Sequence, residues 1–231
     1  MKRALLLGIS ALAFATTSAF AADLPARMPA KAPAYIPLAY TWTGFYLGGN
    51  FGWGWSSGDA TTVLGGVTGT TSGTGNGALG GLQAGYNWQT GALVFGVETD
   101  IQLSGGSGNF TGSNGAITTT GTAKNPWFGT IRGRLGYAFA PRWLAYVTGG
   151  GAYGENKIDG TIGGAGFSSS ANFWTWTVGG GIETAVWDRW TAKIEYLHFG
   201  KPDNVPLPPG VTLVPGNAHG DLIRGGLNYH F

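Results

Sequence analysis

The sequence predicts an all-β protein: an eight-stranded antiparallel up-and-down β-barrel that crosses a membrane. From residue 42 onward, large apolar residues alternate with small or polar ones at a period of two, the signature of β-strands. The alternation recurs in eight segments of about ten residues, the length that a tilted strand needs to cross a bilayer. Short and long connections alternate between these segments, as they do in outer-membrane barrels.

The first strand, at residues 44–55, shows the alternation most clearly. Its even positions carry glycine, asparagine and one tyrosine, whereas its odd positions, apart from one glycine, are large and apolar: Phe45, Leu47, Phe51, Trp53 and Trp55. The other strands are predicted at 77–89, 92–103, 125–138, 142–154, 172–186, 190–199 and 221–231. The fifth, 142–154, contains too many glycines for its faces to be assigned.

The connections predict how the barrel is oriented. Three are short, around residues 90–91, 140–141 and 187–188. Four are long and rich in Gly, Ser and Thr, and are predicted to be loops, at 56–76, 104–123, 155–170 and 200–219. Because outer-membrane barrels have short periplasmic turns and long outer loops, both termini are expected in the periplasm and the four loops outside the cell.

The N-terminal region predicts export. Lys2 and Arg3 precede a short apolar stretch, and Ala19 and Ala21 supply small residues for cleavage, so residues 1–21 are interpreted as a signal peptide. A membrane anchor is the alternative, but the apolar stretch is short for one. Residues 22–41 carry prolines at 25, 29, 33 and 37, which indicates a flexible periplasmic leader before a barrel at 42–231.

Composition excludes several classes of function. Only 10% of the residues are charged, against about 25% in a typical soluble domain. Without Lys2 and Arg3 the mature chain has 13 − 2 = 11 basic and 11 acidic residues, and this zero net charge argues against a nucleic-acid partner. There is no cysteine, and the three histidines (His198, His219, His230) have no metal-ligand spacing. No catalytic constellation or phosphate-binding loop is found, so neither enzyme activity nor a cofactor is expected.

The apolar face of the strands is predicted to face lipid. An eight-stranded barrel is only wide enough inside for side chains to fill, so it could not hold two rings of bulky aromatics. Two girdles on the outer surface accommodate them. The loop-side girdle would contain Trp53, Trp55, Trp127, Trp174 and Trp176, and the turn-side girdle Phe45, Trp88, Tyr137, Trp190, Tyr229 and Phe231.

The opposite, inward face carries four acids and four bases: Glu98, Asp100, Glu183, Glu195, Arg132, Arg134, Lys193 and Arg224. These residues face each other on neighbouring strands. Buried charges must be paired to offset the cost of desolvation, so ion-paired ladders across the lumen are expected. The set could line a charged channel or form a packed polar core that plugs the barrel. The narrow interior favours the plugged core.

The last strand alternates up to the C-terminal phenylalanine through Leu227, Tyr229 and Phe231. Outer-membrane barrels commonly end in this way, and the barrel assembly machinery reads that end. These residues are therefore interpreted as an assembly signal, the alternative being an ordinary last strand.

With these features, the chain resembles the small alphaproteobacterial outer-membrane barrels labelled outer membrane immunogenic protein or porin family protein, which are related to opacity-type barrels. The resemblance is carried by residues 22–25 (ADLP), 42–50 (WTGFYLGGN), 80–88 (GGLQAGYNW), 132–137 (RGRLGY), 192–197 (AKIEYL) and Phe231. It implies roles in envelope integrity and surface exposure, and in some members small-solute passage. The partners it implies are outer-membrane lipid, lipopolysaccharide and the barrel assembly machinery.

The resemblance also implies a link to the cell wall. In some members the mature N-terminus, an Ala-Asp pair, is joined to peptidoglycan. Ala22 and Asp23 match that pair if cleavage follows Ala21. The alternative is that the leader is an inert linker.

Overall fold

The computed structural model describes residues 40–64, 67–207 and 211–231. The predicted signal peptide, Ala22 and the leader up to residue 39 lie outside these ranges. Within them, no helix is long and apolar enough to cross a membrane.

All strands of the described residues belong to one antiparallel sheet. They are β1 (Gly44–Leu64), β2 (Val67–Thr90), β3 (Leu93–Ser104), β4 (Ser107–Ser113), β5 (Thr118–Ala140), β6 (Trp143–Ile162), β7 (Ala165–Ala185), β8 (Trp190–Phe199) and β9 (Val211–His230). β3 and β4 are separated only by Gly105 and Gly106, and both pair with β2 and β5. They form one strand of the wall, so the predicted eight-stranded barrel is confirmed.

Pairing of the first and last strands closes the sheet into a ring. β1 pairs with β2 on one side and with β9 on the other, where Leu47 lies opposite Tyr229. At the end of this seam, the Phe231 backbone N–H donates to the Phe45 carbonyl oxygen at 3.0 Å. This seam joins the two end strands of the sheet, so the described residues leave neither β1 nor β9 unpaired along it, the arrangement that a sheet needs in lipid.

The outer surface is apolar and aromatic, as predicted. Outward side chains such as Leu82, Ile131 and Ile194 are about two-thirds exposed, whereas their inward neighbours Gln83 and Arg132 are buried. The predicted girdle residues lie on this surface, with Trp127 and Tyr229 half-buried among other aromatic rings. The structure also shows which face of the glycine-rich fifth predicted strand (β6) points inward. Its buried side chains are Leu144, Tyr146, Thr148 and Ala152.

The prediction of four long loops is wrong for three of them. The connection after β1 is a paired hairpin down to Leu64 opposite Val67, and β4–β5 and β6–β7 are also paired hairpins. Gly163 and Gly164, both with positive φ, form the tight turn between β6 and β7. Threonine-rich segments continue as strands because their neighbours already supply a ladder of hydrogen-bonding groups. Only the fourth connection, at 200–207, is irregular among the described residues.

Two ends of the barrel can now be distinguished. We call the end with the short connections at 91–92, 141–142 and 186–189 the turn end, and it also holds Phe231. The opposite end, from which the hairpins project, is the hairpin end.

Candidate functional site: the barrel lumen

The lumen holds all eight of the charged residues on the inward face, and each of them is at most 6% exposed. Six of them form what we call the central cluster, which contains three acids and three bases: Glu98, Asp100, Glu195, Arg132, Lys193 and Arg224. β3 contributes Glu98 and Asp100, and β8 contributes Lys193 and Glu195, each pair two residues apart. They meet Arg132 of β5 and Arg224 of β9 at one level of the barrel.

Arg132 binds all three acids of the central cluster. Its guanidinium lies 2.5 Å from Glu98 Oε1, 2.9 Å from Asp100 Oδ2 and 3.1 Å from Glu195 Oε1. Its Nε also donates to the Thr130 hydroxyl at 2.9 Å. Because Arg132 is buried, these contacts replace the hydration that it loses on folding.

The other two bases complete the central cluster. Arg224 Nη2 lies 2.6 Å from Glu195 Oε2 and 3.0 Å from Asp100 Oδ2. Lys193 Nζ reaches across the lumen to both oxygens of Glu98, at 2.8 and 2.9 Å. Each carboxylate is therefore shared between at least two cations, and the cluster is charge-balanced.

Arg134 and Glu183 form a separate buried pair nearer the turn end. Glu183 also accepts hydrogen bonds from the Thr191 hydroxyl and from Asn228 Nδ2, the latter at 2.9 Å. The Arg134 guanidinium stacks on the Tyr146 ring at 3.6 Å. Arg134 thus binds an acid of β7 rather than Glu98 or Asp100 of the neighbouring strand. In the register with β3 it lies opposite Gly96, whereas Arg132 lies opposite Glu98.

Two lumen tyrosines take part in the site although the sequence reasoning did not single them out. The Tyr46 hydroxyl donates to Glu98 Oε2 at 2.7 Å, and the Tyr146 hydroxyl donates to Glu195 Oε1 at 3.0 Å. The signal for Tyr46 was its position on the small, polar face of the first strand.

Apolar residues lie inside the barrel on both sides of the charges, and the sequence reasoning missed them. Towards the hairpin end is what we call the inner apolar layer, formed by Leu79, Phe128, Phe173, Leu197 and Leu222, with Phe199 packed against it. At the turn end is the apolar cap, formed by Trp42, Val94 and Leu144, with Tyr40 and Ala138 against it. The alternation could have revealed this layer, because Phe128 lies on the same face of its strand as Arg132, and Leu197 on the same face as Glu195.

The apolar cap is contributed partly by the chain that precedes β1. Trp42 is fully buried, and its backbone N–H donates to Gln89 Oε1 at 2.8 Å. The Tyr40 ring contacts the Trp42 ring edge-on, with centroids 4.9 Å apart. The barrel thus begins with residues packed across its own opening.

Burial raises the pKa of Tyr40 to about 12, with a smaller contribution from the charge of Glu183. In the unfolded chain the pKa of a tyrosine is about 10. Because the pKa of Tyr40 is higher in the folded protein, its protonated phenol stabilises the fold fully below pH 10, and this stabilisation is lost as the pH rises to about 12. We expect the absorbance change of Tyr40 ionisation near 295 nm to have its midpoint close to pH 12. Subtracting the titration of Tyr40→Phe from that of the parent gives the ionisation of Tyr40 alone. A midpoint near pH 10 would show that Tyr40 is not packed in the apolar cap.

The three histidines have different surroundings. His230 stacks on Tyr46 inside the barrel, whereas His198 and His219 lie near the hairpin end. His219 Nε2 is 3.3 Å from the exposed Ser57 hydroxyl, but the nearby Asp221 carboxylate binds His198 instead, at 2.7 Å. This arrangement lacks the carboxylate that orients the base of a catalytic triad. Within the described ranges, no group of three or more His, Asp or Glu side chains is arranged to hold a metal ion.

The C-terminal residues are accessible at the turn end. Leu227 and Phe231 are 50% and 68% exposed, and Tyr229 lies between the Trp190 and Phe231 rings. Their role as an assembly signal stays a prediction.

A closed barrel with an aromatic, apolar exterior and buried lumen charges defines an integral membrane β-barrel protein. The chain belongs to the outer membrane protein beta-barrel domain family, whose model matches residues 5–231. This places it among outer-membrane proteins and confirms the resemblance drawn from the sequence.

Curated relatives agree with this assignment. The chain is 38% identical to the 31 kDa outer-membrane immunogenic protein of Brucella melitensis over 247 residues, covering 100% of both chains. It is 36% identical to the 22 kDa outer membrane protein of Rhizobium leguminosarum bv. viciae, over 69% of this chain and 64% of the relative. Among solved structures, it matches the outer membrane protein OprG from Pseudomonas aeruginosa with a TM-score of 0.52, at 11% identity over 82% of this chain and 97% of OprG. At that identity the likeness concerns the fold alone.

Proposed function

We propose that this protein is a structural, surface-exposed component of the outer membrane that supports envelope integrity, and that side chains plug its lumen. The observation that carries the proposal is the central cluster, in which Arg132 binds three carboxylates from two different strands. Such a network holds opposite walls of the barrel together and occupies its centre.

The two apolar groups of the lumen also support a plugged barrel. A hydrated solute that entered from the turn end would first meet the fully buried Trp42 and Leu144. Beyond the central cluster it would meet the inner apolar layer. Each apolar group would remove water from the solute without offering hydrogen bonds in its place, and this desolvation is costly for polar and charged solutes.

The proposed orientation puts the turn end in the periplasm and the hairpins outside the cell, since short turns face the periplasm in this kind of barrel. Surface exposure is supported by the word "immunogenic" in the name of the Brucella relative. The proposed partners are outer-membrane lipid with lipopolysaccharide around the girdles, the barrel assembly machinery at Phe231, and peptidoglycan at Ala22. A structural role is proposed rather than an enzymatic one.

Single-channel recording in a planar bilayer tests the proposal. We expect the refolded mature protein to give no steady conductance, because in the proposed plugged lumen the central cluster and the apolar groups would interrupt a hydrated path. Arg132→Ala and Glu98→Ala are recorded alongside, with Arg142→Ala, an exposed arginine at the turn end, as the matched control. Stable, discrete openings in the parent that the two lumen substitutions alter would instead establish a narrow channel for small hydrophilic solutes.

A further inference from the structure

A cavity of about 510 Å³ lies at the hairpin end, above the inner apolar layer. Its volume falls in the range of small-molecule sites, about 300–1,000 Å³. Five phenylalanines line it: Phe110, Phe128, Phe167, Phe173 and Phe199. An apolar interior is unexpected here, because the surrounding hairpins are built mainly from Gly, Ser and Thr.

Glycines on neighbouring strands hold the phenylalanine rings against the wall and leave the centre of the cavity open. Phe110 lies opposite Gly121 in the β4–β5 hairpin, and Phe167 lies opposite Gly160 in the β6–β7 hairpin. A Cβ atom on Gly160 would be 3.0 Å from the Phe167 ring, and one on Gly121 would collide with the Phe110 ring. A ring laid over a cross-strand glycine covers the backbone and leaves an apolar surface facing inward.

On one side of the cavity, the described strands do not pair with each other. Pairing between β7 and β8 ends at Thr177 opposite Phe199, and pairing between β8 and β9 ends at Phe199 opposite Gly220. Beyond that level, no described residue of 165–176 pairs with 211–219.

On this side the irregular segment 200–207 takes the place of a paired strand beside β7. Its Asp203 exchanges two hydrogen bonds with the Trp174 backbone, at 2.7 and 2.9 Å. It contributes Val205, Pro206 and Leu207 to the cavity. Trp176, which belongs to the loop-side girdle, packs against this segment, because a Cβ atom on Gly200 would collide with its ring.

Charged groups lie around the apolar interior. Those that line the cavity are Asp59, Lys124, Lys201, His219 and Asp221. Asp221 is bound by the Tyr196 hydroxyl at 2.5 Å and by His198 at 2.7 Å. Lys124 and Lys201 are exposed, and neither has a carboxylate within 4.0 Å in the part of the chain that the structure describes. Two cations are thus available to an anionic group of a ligand.

We propose that this cavity binds a single-chain amphiphile with an anionic head, of the fatty-acid type. The acyl chain lies among the phenylalanines, where burial of apolar surface stabilises it. The carboxylate stays at the hairpin end, where Lys124 and Lys201 both line the cavity. The chain stops at the inner apolar layer, so binding does not depend on whether the lumen conducts.

The test is photolabelling of the full mature protein in phosphatidylcholine nanodiscs with a diazirine-bearing palmitic acid, followed by mapping of the labelled peptides by mass spectrometry. We expect label on residues lining the cavity, including the phenylalanines and segment 200–207. Ala152→Trp, which puts a bulky side chain into the base of the cavity from β6, is expected to reduce this label about tenfold. Its matched control is Ala145→Trp, the same change on the outer face of the same strand, which should leave the label unchanged.

Two further variants keep the test decisive. Ala123→Trp blocks the cavity from its hairpin wall, away from the packed lumen, in case Ala152→Trp fails to fold. The double variant Lys124→Gln, Lys201→Gln tests the head group. Unlabelled palmitate should compete about threefold more weakly, the change in affinity that exposed ion pairs typically cause. Competition by monopalmitoylglycerol, which has no charge, should not change. Label confined to lipid-facing residues, or equal in the blocked variants and Ala145→Trp, would overturn the proposal. Equal competition by the neutral and the anionic amphiphile in the parent would overturn the anionic head.

Discussion

Replacing Arg132 by alanine is expected to lower the free energy of unfolding by about 3–5 kcal/mol, the cost of leaving buried charges without their partner. The variant removes one of three cations from the central cluster and leaves Glu98, Asp100 and Glu195 facing only Lys193 and Arg224. It also removes the donor to Thr130. Reversible urea unfolding of the protein in lipid vesicles, followed by tryptophan fluorescence, measures this loss.

Two controls separate the effect of the buried network from loss of a positive charge alone. Arg142→Ala removes an exposed arginine at the turn end and should change the stability by no more than about 0.5 kcal/mol. The double variant Arg132→Ala, Glu98→Ala restores the balance of acids and bases, so its cost should be less than the sum of the two single costs. An unfolding midpoint for Arg132→Ala equal to that of the parent would contradict the plugged-core proposal.

The second large effect is expected at Gly150, which lies opposite Arg132 in the β5–β6 ladder. A Cβ atom here would collide with the Ile131 carbonyl oxygen and lie 2.7 Å from Arg132 Cα, so backbone rather than a movable side chain blocks it. Gly150→Ala must therefore separate the two strands beside the central cluster. We expect a loss of about 3 kcal/mol, the upper end of the range for overpacking.

The adjacent residue provides the matched control. Gly149 faces the opposite side of β6, and a Cβ atom there would meet its nearest neighbour, the Thr177 carbonyl oxygen, at 3.7 Å, an ordinary contact. Gly149→Ala is expected to be neutral or slightly stabilising, since alanine restricts the unfolded chain more than glycine does. The same urea titrations in vesicles compare the two. Equal stability of both variants would mean that β5 and β6 do not approach as closely as the structure has them.

The period-two pattern was sufficient to predict the eight strands that cross the membrane, the two faces of seven of them and the eight charged residues that point inward. A shift of one residue would exchange the faces, so the alternation of Arg132 and Arg134 with Ile131 and Leu135 already determines which side chains enter the lumen. The closed eight-stranded ring follows because open edges are not tolerated in lipid.

The rest depended on information that no local pattern contains. Which acid each base binds depends on the residues that meet at one level of the lumen. Arg134 lies opposite Gly96 of β3 and binds Glu183 of β7, which is not a neighbour of its own strand. The hairpins looked like loops because their Gly, Ser and Thr residues have a weak strand preference, and their pairing comes from neighbouring strands. The inner apolar layer is an exception. The alternation places Phe128 and Leu197 on the same faces as Arg132 and Glu195, but only the charged residues of those faces were assigned to the lumen.

The seam between β1 and β9 has a consequence for how the protein folds. Its contacts join residues close to the two ends of the barrel, such as Tyr46 and His230, whereas every other seam joins strands that are near in sequence. Non-local pairing lowers folding rates, because the entropy of ordering the intervening chain must be overcome before the contact forms. The hairpins can therefore form early, and joining the two ends comes last. Until then both outer strands expose unpaired backbone groups, so a chain that lacks β9 has no stable state in the bilayer, and synthesis must be complete before insertion can finish.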